Sequence, residues 1–596
     1  MRVSAATVTP PPPHGGRPAP PDLDKSELTE GFMSTIVDDV ALSEVERLKE
    51  ESLGLRGGLA AELDNDSSHL SEASKQILKF HGSYQQEDRD LRKERKKAGL
   101  EPAYQFMVRS KVPGGVLTAA QYLLHDRLAD DYGNGTLRIT TRQGFQFHGV
   151  LKGNLRRHIH ELNDALVTTF GACGDVVRNV VTCPAPIAGG LREEVIEWAR
   201  RIRDETLPRS RAYHEIWIEG QSVTREEAEP DPLYGERYLP RKFKIGFAFP
   251  DDNCTDVHSN DLGLLVIPEN GRIRGFNVLV GGGLGMTHNK ADTYPRLADP
   301  LAFVEPDELI DVIKAVIGVQ RDYGNRVNRR RARLKYVLDE RGLPWFREQV
   351  ESYLGRPLQD PLPVEVSGIE DHLGWHEQGD GRWFRGVWVE NGRVLDREGL
   401  RLRIAIREVV ARFGADIHLT TQQNLLLVNI APEDRSAVDD ILRTHGVIAP
   451  EELTPARRWS MACPAIPTCP LAVAESERVL PGIMDELEVA LSRIGLADET
   501  ISVRMTGCPN GCARPYTADL AFVGRSLNKY VIYVGGNLEG TRLGTEYASL
   551  VPLDQLVTTV RPLLERFRDE RREGERFGDF WNRVGVEPLE PAGASR

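Results

Sequence analysis

The sequence predicts an α+β protein, of mixed α/β character, built from two copies of one unit. Residues 135–150 (GTLRITTRQGFQFHGV) align without gaps on residues 415–430 (ADIHLTTQQNLLLVNI), a displacement of 415 − 135 = 280 positions. The same displacement, 463 − 183 = 280, relates Cys183-Pro-Ala to Cys463-Pro-Ala. We therefore expect each copy to have a small α/β unit followed by a larger one, with a pseudo-twofold axis relating the copies.

The segments before the duplicated part have a different character. Residues 1–24 contain many prolines and little that could be buried, which predicts a disordered tail. Residues 25–100 are amphipathic and rich in charge, which predicts a helical lead that wraps the body. The pattern then predicts a strand, a turn and a helix start over 106–118, and a strand pair over 137–149, with a helix between them.

The second half repeats this organisation with small changes. Asp261-Leu recurs as Asp519-Leu at a somewhat smaller displacement, and the proline-rich residues 355–363 predict a linker between the copies. Cys183 is interpreted as the vestigial counterpart of Cys463. The predicted domains are the tail (1–24), the helical lead (25–100), the first small unit (101–170), the first large unit (171–350), the linker with the second small unit (351–435) and the second large unit (436–596).

The composition predicts a soluble globular protein. The formal net charge of −13 argues against nucleic-acid binding, no apolar run is long enough to span a membrane, and the amino terminus lacks an apolar signal segment. The seven cysteines are an odd number and sparse for 596 residues, and four of them are concentrated at one site. This usage predicts reduced thiols in the cytoplasm.

Two cysteine pairs predict one four-thiolate site. They are Cys463 with Cys469 and Cys508 with Cys512, and the apolar spacing between them predicts a helix over 474–496 that folds the second pair onto the first. Five residues, two of them prolines, separate Cys463 from Cys469, whereas structural zinc prefers closer pairs on tight knuckles. The spacing favours an iron-sulfur cluster, with zinc or four inert thiols as the alternatives.

The cysteine motifs resemble the signature of sirohaem-dependent nitrite and sulfite reductases. The resemblance rests on Cys-x5-Cys followed by Thr506-Gly-Cys-Pro-Asn-Gly-Cys512. It implies a pseudo-twofold fold in which 101–170 and 351–435 contain ferredoxin-like half-domains and the two larger domains hold the cofactors. It also implies that the four cysteines bind one [4Fe-4S] cluster and that Cys512 is the axial ligand of sirohaem.

Four cations match those that line the substrate face of the haem in sulfite reductases: Arg109, Arg178, Lys242 and Lys244. Arginines can hold the sulfite dianion, and a lysine among other buried cations can have its pKa lowered enough to donate protons. Nitrite-reducing relatives tend to carry asparagine where this chain has Lys244. The resemblance therefore implies sulfite as the substrate.

Further residues are expected to hold the haem carboxylates. They are Arg138, Arg142, Gln146 and His148 on the predicted strand pair, Gly282 and Gly283 in a glycine-rich turn, and Asn325 and Arg326. The glycine-rich turn lacks the third glycine of a dinucleotide fingerprint, because Met286 holds its place, so NADPH binding is not expected. Some relatives link a tyrosine to a cysteine beside the haem. Tyr84 matches the tyrosine, but Val176 occupies the expected cysteine position, so no cross-link is predicted.

The resemblance thus implies an assimilatory sulfite reductase haemoprotein that reduces sulfite in six electrons. Its electrons would come from a ferredoxin or an NADPH-dependent flavoprotein subunit, since no flavin or nicotinamide site is visible. No nucleic-acid or membrane partner is expected. The same-class alternative is a sirohaem nitrite reductase that forms ammonia, and the alternative from another class is a structural-zinc protein that binds a polyanion.

Overall fold

Four main β-sheets flanked by helices carry the fold. The computed structural model describes residues 42–187, 189–210, 217–218, 221–222 and 230–589, so the predicted tail and the start of the lead lie outside the described residues. The strands are β1 Ser83–Glu87, β2 Tyr104–Arg109, β3 Val116–Leu117, β4 Leu137–Ile139, β5 Phe145–Val150, β6 Trp217–Ile218, β7 Gln221–Ser222, β8 Ile245–Ala248, β9 Leu262–Glu269, β10 Arg272–Val280, β11 Asp299–Val304, β12 Gly374–Glu377, β13 Trp383–Val387, β14 Arg393–Val394, β15 Asp396–Arg397, β16 Leu400–Arg401, β17 Asp416–Leu419, β18 Leu425–Ile430, β19 Met461–Ala462, β20 Val503–Thr506, β21 Leu520–Ser526, β22 Lys529–Val534 and β23 Thr545–Pro552.

The α-helices of the described residues lie between and beside these sheets. They are α1 Glu44–Glu50, α2 Leu59–Asp64, α3 Glu72–Leu78, α4 Arg92–Lys97, α5 Ala119–Asp131, α6 Leu155–Asp164, α7 Leu191–Glu205, α8 Leu309–Tyr323, α9 Leu334–Arg341, α10 Leu343–Leu354, α11 Leu402–Phe413, α12 Arg435–Thr444, α13 Pro455–Arg458, α14 Leu480–Arg493, α15 Leu556–Glu570 and α16 Phe577–Val584. Among the described residues, no helix has both the length and the apolar character needed to cross a bilayer.

The two small sheets exchange strands. One has the order β1-β2-β5-β4-β14 and the other the order β12-β13-β18-β17-β3. Strand β14 comes from the second copy and pairs with β4 of the first, while β3 comes from the first copy and pairs with β17 of the second. Because each copy completes the sheet of the other, the two small units form one body. The predicted strand pairs over 137–149 and 415–430 are confirmed as β4–β5 and β17–β18.

The predicted helical lead contains a strand as well as helices. Within 42–100, helices α1 to α4 are present, but β1 forms the edge of the first small sheet and pairs with β2 in antiparallel register. The helical prediction is wrong for this stretch. Its sequence, Ser-Tyr-Gln-Gln-Glu, has no apolar alternation, since an edge strand is held by ladder hydrogen bonds and by one partly covered face.

The two large sheets share a topology that confirms the duplication. Their orders are β11-β10-β9-β8 and β19-β20-β21-β22-β23, and β8–β9 and β20–β21 are both parallel pairs. One displacement relates the starts of these strands, 503 − 245 = 258 from β8 to β20 and 520 − 262 = 258 from β9 to β21. A bridge from Val181 to Gly246 in the first copy matches the β19–β20 pair Met461 to Arg504 in the second.

Helix α14 is the helix predicted between the two cysteine pairs. Ile483, Leu487 and Leu491 follow helical spacing and are all buried against the second large sheet. The helix therefore returns the chain from the first cysteine pair to the strand that precedes the second.

Replacement of Leu487 by alanine tests this packing. We expect Leu487→Ala to lower the free energy of unfolding by about 2–5 kcal/mol, because it removes a fully buried side chain and leaves a cavity. Urea denaturation measures the change. The exposed neighbour offers a control, Glu486→Ala, which should change stability by less than about 0.5 kcal/mol. Equal effects of the two changes would contradict the assigned helix face.

Candidate active site

Four cysteines lie on two loops that follow neighbouring parallel strands. Cys463 and Cys469 follow β19, and Cys508 and Cys512 follow β20. The Gly507 amide donates to the Cys463 Sγ at 3.4 Å, as amides do to cluster-binding thiolates. A Cβ on Gly507 would lie 2.4 Å from a backbone oxygen of the first loop, so only glycine lets the two loops approach this closely. The predicted gathering of the two pairs is therefore present.

The four thiols differ in exposure. Cys463 and Cys508 are buried, Cys469 is half-buried and Cys512 is exposed. Burial and the neighbouring thiols raise the pKa of the Cys463, Cys469 and Cys508 thiols to about 12, so these groups become thiolates only with a bound metal.

The Cys512 thiol opens onto a cavity rich in positive charge. The cavity is lined by Thr141, Arg142, Lys242, Lys244, Thr255, Ser259, Asn260, Leu284, Gly285, Arg333, Asn510, Gly511, Cys512 and Arg514. Five of these lining residues are lysine or arginine, and none of this described set carries a carboxylate. Arg333 and Arg514 pair with Asp261 and Asp256 outside the lining, but Arg142, Lys242 and Lys244 form no ion pair among the described residues. Such a cavity suits an anion, because unpaired cations repel one another and lose hydration on burial.

The two lysines are strongly affected by this environment. Burial, together with Arg241 and Lys244, lowers the pKa of Lys242 well below its ordinary value. Burial, with Arg142 and Arg333 nearby, lowers the pKa of Lys244 to about 7. A lysine with such a pKa can give up a proton near neutral pH and take it back, as a general acid must.

The two predicted arginines adjoin the same region. Arg109 is on β2 and donates to the Cys173 Sγ at 3.0 Å, and its guanidinium interacts electrostatically with the Cys512 thiol. The Gln146 amide oxygen, turned toward Arg109, accepts from its Nε at 3.2 Å. Arg178 is buried, and its guanidinium donates to two backbone carbonyls. The structure thus brings Arg109, Lys242 and Lys244 around the Cys512 thiol, with Arg178 beside Arg142.

Two family models match most of the chain. One, described as the nitrite and sulphite reductase 4Fe-4S domain, matches residues 197–358 and 455–591, and the other, described as the nitrite/sulfite reductase ferredoxin-like half domain, matches 99–165 and 376–445. The chain belongs to the nitrite and sulphite reductase family. The predicted duplicated fold with ferredoxin-like half-domains is confirmed, and a 4Fe-4S domain is present. The domain boundaries set from the sequence remain predictions.

Named relatives cover nearly the whole chain. A sulfite reductase (NADPH) hemoprotein beta-component from Paenibacillus sp. (strain JDR-2) is 46% identical over 91% of this chain and 95% of that protein. A sulfite reductase (ferredoxin) from Synechococcus elongatus is 46% identical over 92% of this chain and 90% of that protein. The solved structure of the Mycobacterium tuberculosis NirA protein superposes with a TM-score of 0.72 at 28% identity, covering 90% of this chain and 96% of that one.

Arg138 is not available to a haem carboxylate in this reductase. Its Nε donates to Glu477 at 2.8 Å and a second nitrogen donates to the Ala462 carbonyl at 2.7 Å. Glu477 also accepts from Arg393 at 2.6 Å, so one buried carboxylate joins two arginines. The amide of Glu477 donates to the Cys463 carbonyl. The expectation for Arg138 is therefore corrected: it anchors the first cysteine loop.

Four other expected residues are placed away from the cavity. The Gly283 amide donates to the Arg296 carbonyl, and Gly282 packs against the backbone oxygens of His258 and Asn260. Leu284 and Gly285 line the cavity in their place. Asn325 caps the amides of the following loop. Arg326 pairs with Glu46 of α1 and donates to two carbonyls. These groups satisfy the protein's own polar atoms instead of an external anion.

Two of the residues expected to contact the haem, Arg142 and His148, have buried polar atoms that are free to bind a ligand. Arg142 lines the cavity, and its Nε is buried without a hydrogen-bond partner among the described residues. His148 is buried on β5 on the same face as Gln146, and both of its ring nitrogens lack a partner in the described structure. Burial and three nearby arginines, Arg393 first, lower the pKa of His148 well below its ordinary value, so the ring is neutral.

The sequence reading missed three groups near the cavity. Arg333 lines it while forming two hydrogen bonds with Asp261, and Arg514 lines it two residues after Cys512. Arg333 lies in a basic run that could have marked it.

The thiol beside Tyr84 belongs to Cys173, which interacts electrostatically with the Tyr84 hydroxyl and accepts a hydrogen bond from Arg109. The prediction that Val176 occupies the position of the cross-linking cysteine is therefore wrong, because Cys173 lies there.

The buried carboxylate of Glu477 gives a direct test of the loop anchor. We expect Glu477→Gln to lower the free energy of unfolding by about 3–5 kcal/mol, because Arg138 and Arg393 lose their shared counter-ion. Although burial opposes it, Arg393 and Arg138 hold the pKa of Glu477 below its ordinary value. This stabilisation is thus complete above the ordinary glutamate pKa and is lost as pH falls through the lowered pKa.

Urea denaturation across the acidic pH range, with iron content measured on the same samples, checks this expectation. Glu475→Gln is the matched control, since Glu475 pairs with the exposed Arg478 and should contribute less than about 1 kcal/mol. A Glu477→Gln protein as stable as the control, with full iron content, would disprove the anchoring role.

Proposed function

We propose that this chain is an assimilatory sulfite reductase haemoprotein that reduces sulfite to sulfide in six electrons. The observation that carries the proposal is the position of Cys512. Its thiol opens onto a cavity lined by five cations, while Cys463 and Cys508 are buried behind it on the same two loops. The names of the relatives at 46% identity support the same activity.

We propose sirohaem and one [4Fe-4S] cluster as the cofactors. Cys463, Cys469, Cys508 and Cys512 would hold the cluster, and Cys512 would also bind the sirohaem iron. The chemistry of the cavity fits a carboxylate-rich group, because Arg142, Lys242 and Lys244 have no ion-pair partner among the described residues and the Arg142 Nε is buried without a hydrogen bond. When bound, these groups supply an iron centre that passes electrons singly to the substrate.

The cations of the chain divide between two tasks. Arg142 is proposed to contact haem carboxylates, together with the neutral ring of His148, whereas Arg333 and Arg514 line the cavity but pair with Asp261 and Asp256. Arg109, Arg178, Lys242 and Lys244 are proposed to hold the sulfite oxyanion and move protons to it. A lysine whose pKa lies near 7 is partly protonated at neutral pH, so Lys244 can donate a proton and be recharged from solvent. Gln146 orients Arg109 through its amide oxygen.

Nitrite is the second candidate substrate, and Lys244 favours sulfite over it. Full reduction of sulfite to hydrogen sulfide and of nitrite to ammonium consumes the same number of protons, so the difference lies in charge: sulfite is a dianion and nitrite a monoanion. A second lysine beside Lys242 adds a proton donor and a positive charge for the dianion. The structural-zinc alternative loses its support, because the chain matches the 4Fe-4S domain of a reductase family.

We infer that a separate protein delivers the electrons. The relatives carry both kinds of name, an NADPH-type beta-component and a ferredoxin-type enzyme. Either a flavoprotein subunit or a ferredoxin therefore fits this chain, which we place in the cytoplasm because its proposed cluster and reduced thiols need a reducing compartment.

An absorption spectrum with metal analysis tests the cofactors. For protein expressed with sirohaem and cluster supply assured, we expect a red-shifted haem spectrum with about five irons and about four acid-labile sulfides per chain. The wild-type sample should be compared with Cys512→Ser, which removes the proposed shared ligand and should change the haem spectrum. A colourless protein with zinc in place of iron would overturn the reductase proposal.

Substitution of Lys244 tests the proton donor. We expect Lys244→Asn to lower kcat/KM for sulfite by about 10²-fold or more and to affect nitrite less, because it removes a general acid and a charge. In the wild-type enzyme, kcat should fall as pH rises through about 7 or above, since a bound anion raises the pKa of the lysine and the deprotonated form cannot donate. Steady-state rates with both substrates over this pH range measure both effects.

The exposed Lys290 supplies the control, and Lys290→Asn should leave both rates and the pH profile unchanged. If kcat of Lys244→Asn fell with rising pH just as it does in the wild-type enzyme, another group would be the proton donor.

A further inference from the structure

A second group of potential metal ligands lies in the first copy, apart from the four cluster cysteines. Cys183, Asp252, Cys254 and His372 are all buried, and their donor atoms lie within 4.8 Å of one another. The Cys183 Sγ is 3.1 Å from the His372 Nε2, which is 3.0 Å from the Asp252 Oδ2. The proposed function uses none of these four side chains.

The duplication places this group opposite the cluster. Cys183 corresponds to Cys463 at a displacement of 463 − 183 = 280, and Cys254 corresponds to Cys512 at a displacement of 512 − 254 = 258. The second displacement is the one that relates strands β8 and β9 to β20 and β21. Both thiols therefore occupy the positions of cluster ligands in the other copy.

The other two ligand positions of the cluster have no thiol in the first copy. At the same displacements, Gly189 stands for Cys469 and Pro250 stands for Cys508. His372 and Asp252 instead complete a tighter group. A [4Fe-4S] cluster cannot be held by two thiols at this spacing, whereas one small ion can.

We propose that Cys183, Cys254, His372 and Asp252 bind a single structural Zn²⁺ ion. Two thiolates, an imidazole and a carboxylate form a donor set typical of tetrahedral zinc. Zinc bonds of about 2.0–2.3 Å require neighbouring donors about 3.3–3.8 Å apart, so the shortest contacts in the group need to open only slightly. Cys183 is then a ligand in its own right and not a vestige.

The charges around the ion balance. Two thiolates and the Asp252 carboxylate carry three negative charges, which Zn²⁺ and the Arg192 guanidinium neutralise, since Arg192 donates to the Asp252 Oδ2 at 2.8 Å. The other carboxylate oxygen of Asp252 accepts from the amides of Cys254 and Glu370 at 3.1 and 3.2 Å. These bonds orient the carboxylate, as the neighbours of metal ligands generally do.

The ion would fix one wall of the active-site cavity. The backbone carbonyl of Cys254 accepts from Arg514 and Gln422, and the next residue, Thr255, lines the cavity. Arg514 is two residues from Cys512, so the loop that contains Cys254 contacts the cluster loop directly. The zinc proposal itself does not depend on the reaction that the cavity performs.

Zinc analysis and zinc K-edge X-ray absorption on the intact holoprotein test the proposal, because that edge is silent to iron. After expression with Zn²⁺ in the medium and treatment with a chelator, we expect about one zinc per chain beside the full iron and sulfide content. The absorption fine structure should show two sulfur neighbours at about 2.3 Å with nitrogen or oxygen at about 2.0 Å.

Cys183→Ser and Cys254→Ser should each lose the zinc, whereas His376→Gln should retain it, since His376 only binds a backbone carbonyl nearby. The wild-type measurement decides the matter even where a variant fails to fold. Wild-type holoprotein without zinc, zinc held by four sulfurs, zinc retained in Cys183→Ser, or a disulfide between Cys183 and Cys254 in peptide mapping would each overturn the site.

Discussion

The structure depends on where buried positive charge is neutralised and where it is not. Arg333 meets Asp261, Arg329 meets Asp175, and Arg138 with Arg393 meets Glu477, each at ion-pair distance. These cations belong to the framework, because each has a carboxylate of the chain itself. The cavity beside Cys512 breaks the rule, since Lys242 and Lys244 have no acidic neighbour in its lining and their pKa values are lowered. The same residue types thus serve stability where they are paired and ligand binding where they are not.

Duplication supplies the geometry that makes this cavity possible. Strands β3 and β14 exchange between the small sheets, so neither copy can separate from the other without exposing two sheet edges. The parallel pairs β8–β9 and β20–β21 then present equivalent loops from opposite sides. Because both loops begin at the same point of the same motif, substitutions could give the second copy four thiols while the first kept two and gained other ligands.

Periodicity and motifs were sufficient for part of the fold and the site. The strand pair β4–β5, its repeat β17–β18, helix α14 and the gathering of the four cysteines were all predictable, because each depends on a local pattern or a repeat. Strand β1 was not predictable, because it is held by its pairing with β2 and its own residues show no strand pattern. Arg138 shows the same limit at the site: its partner Glu477 is far away in the sequence, and no local signal distinguishes a paired arginine from a free one. The predictions for Arg326 and Asn325 were wrong for the same reason.

Arg138 and Arg514 show how the chain's own groups hold the two cluster loops. Arg138 fixes the first loop through Glu477 and the Ala462 carbonyl, and both groups adjoin Cys463 in space. Arg514 fixes the second loop through the Cys254 and Thr421 carbonyls of the other parts of the chain. Each loop is therefore anchored by a buried arginine whose partners are distant in sequence. Since an arginine can satisfy several carbonyls at once through its planar fork, one side chain per loop is enough to fix the direction in which Cys512 faces.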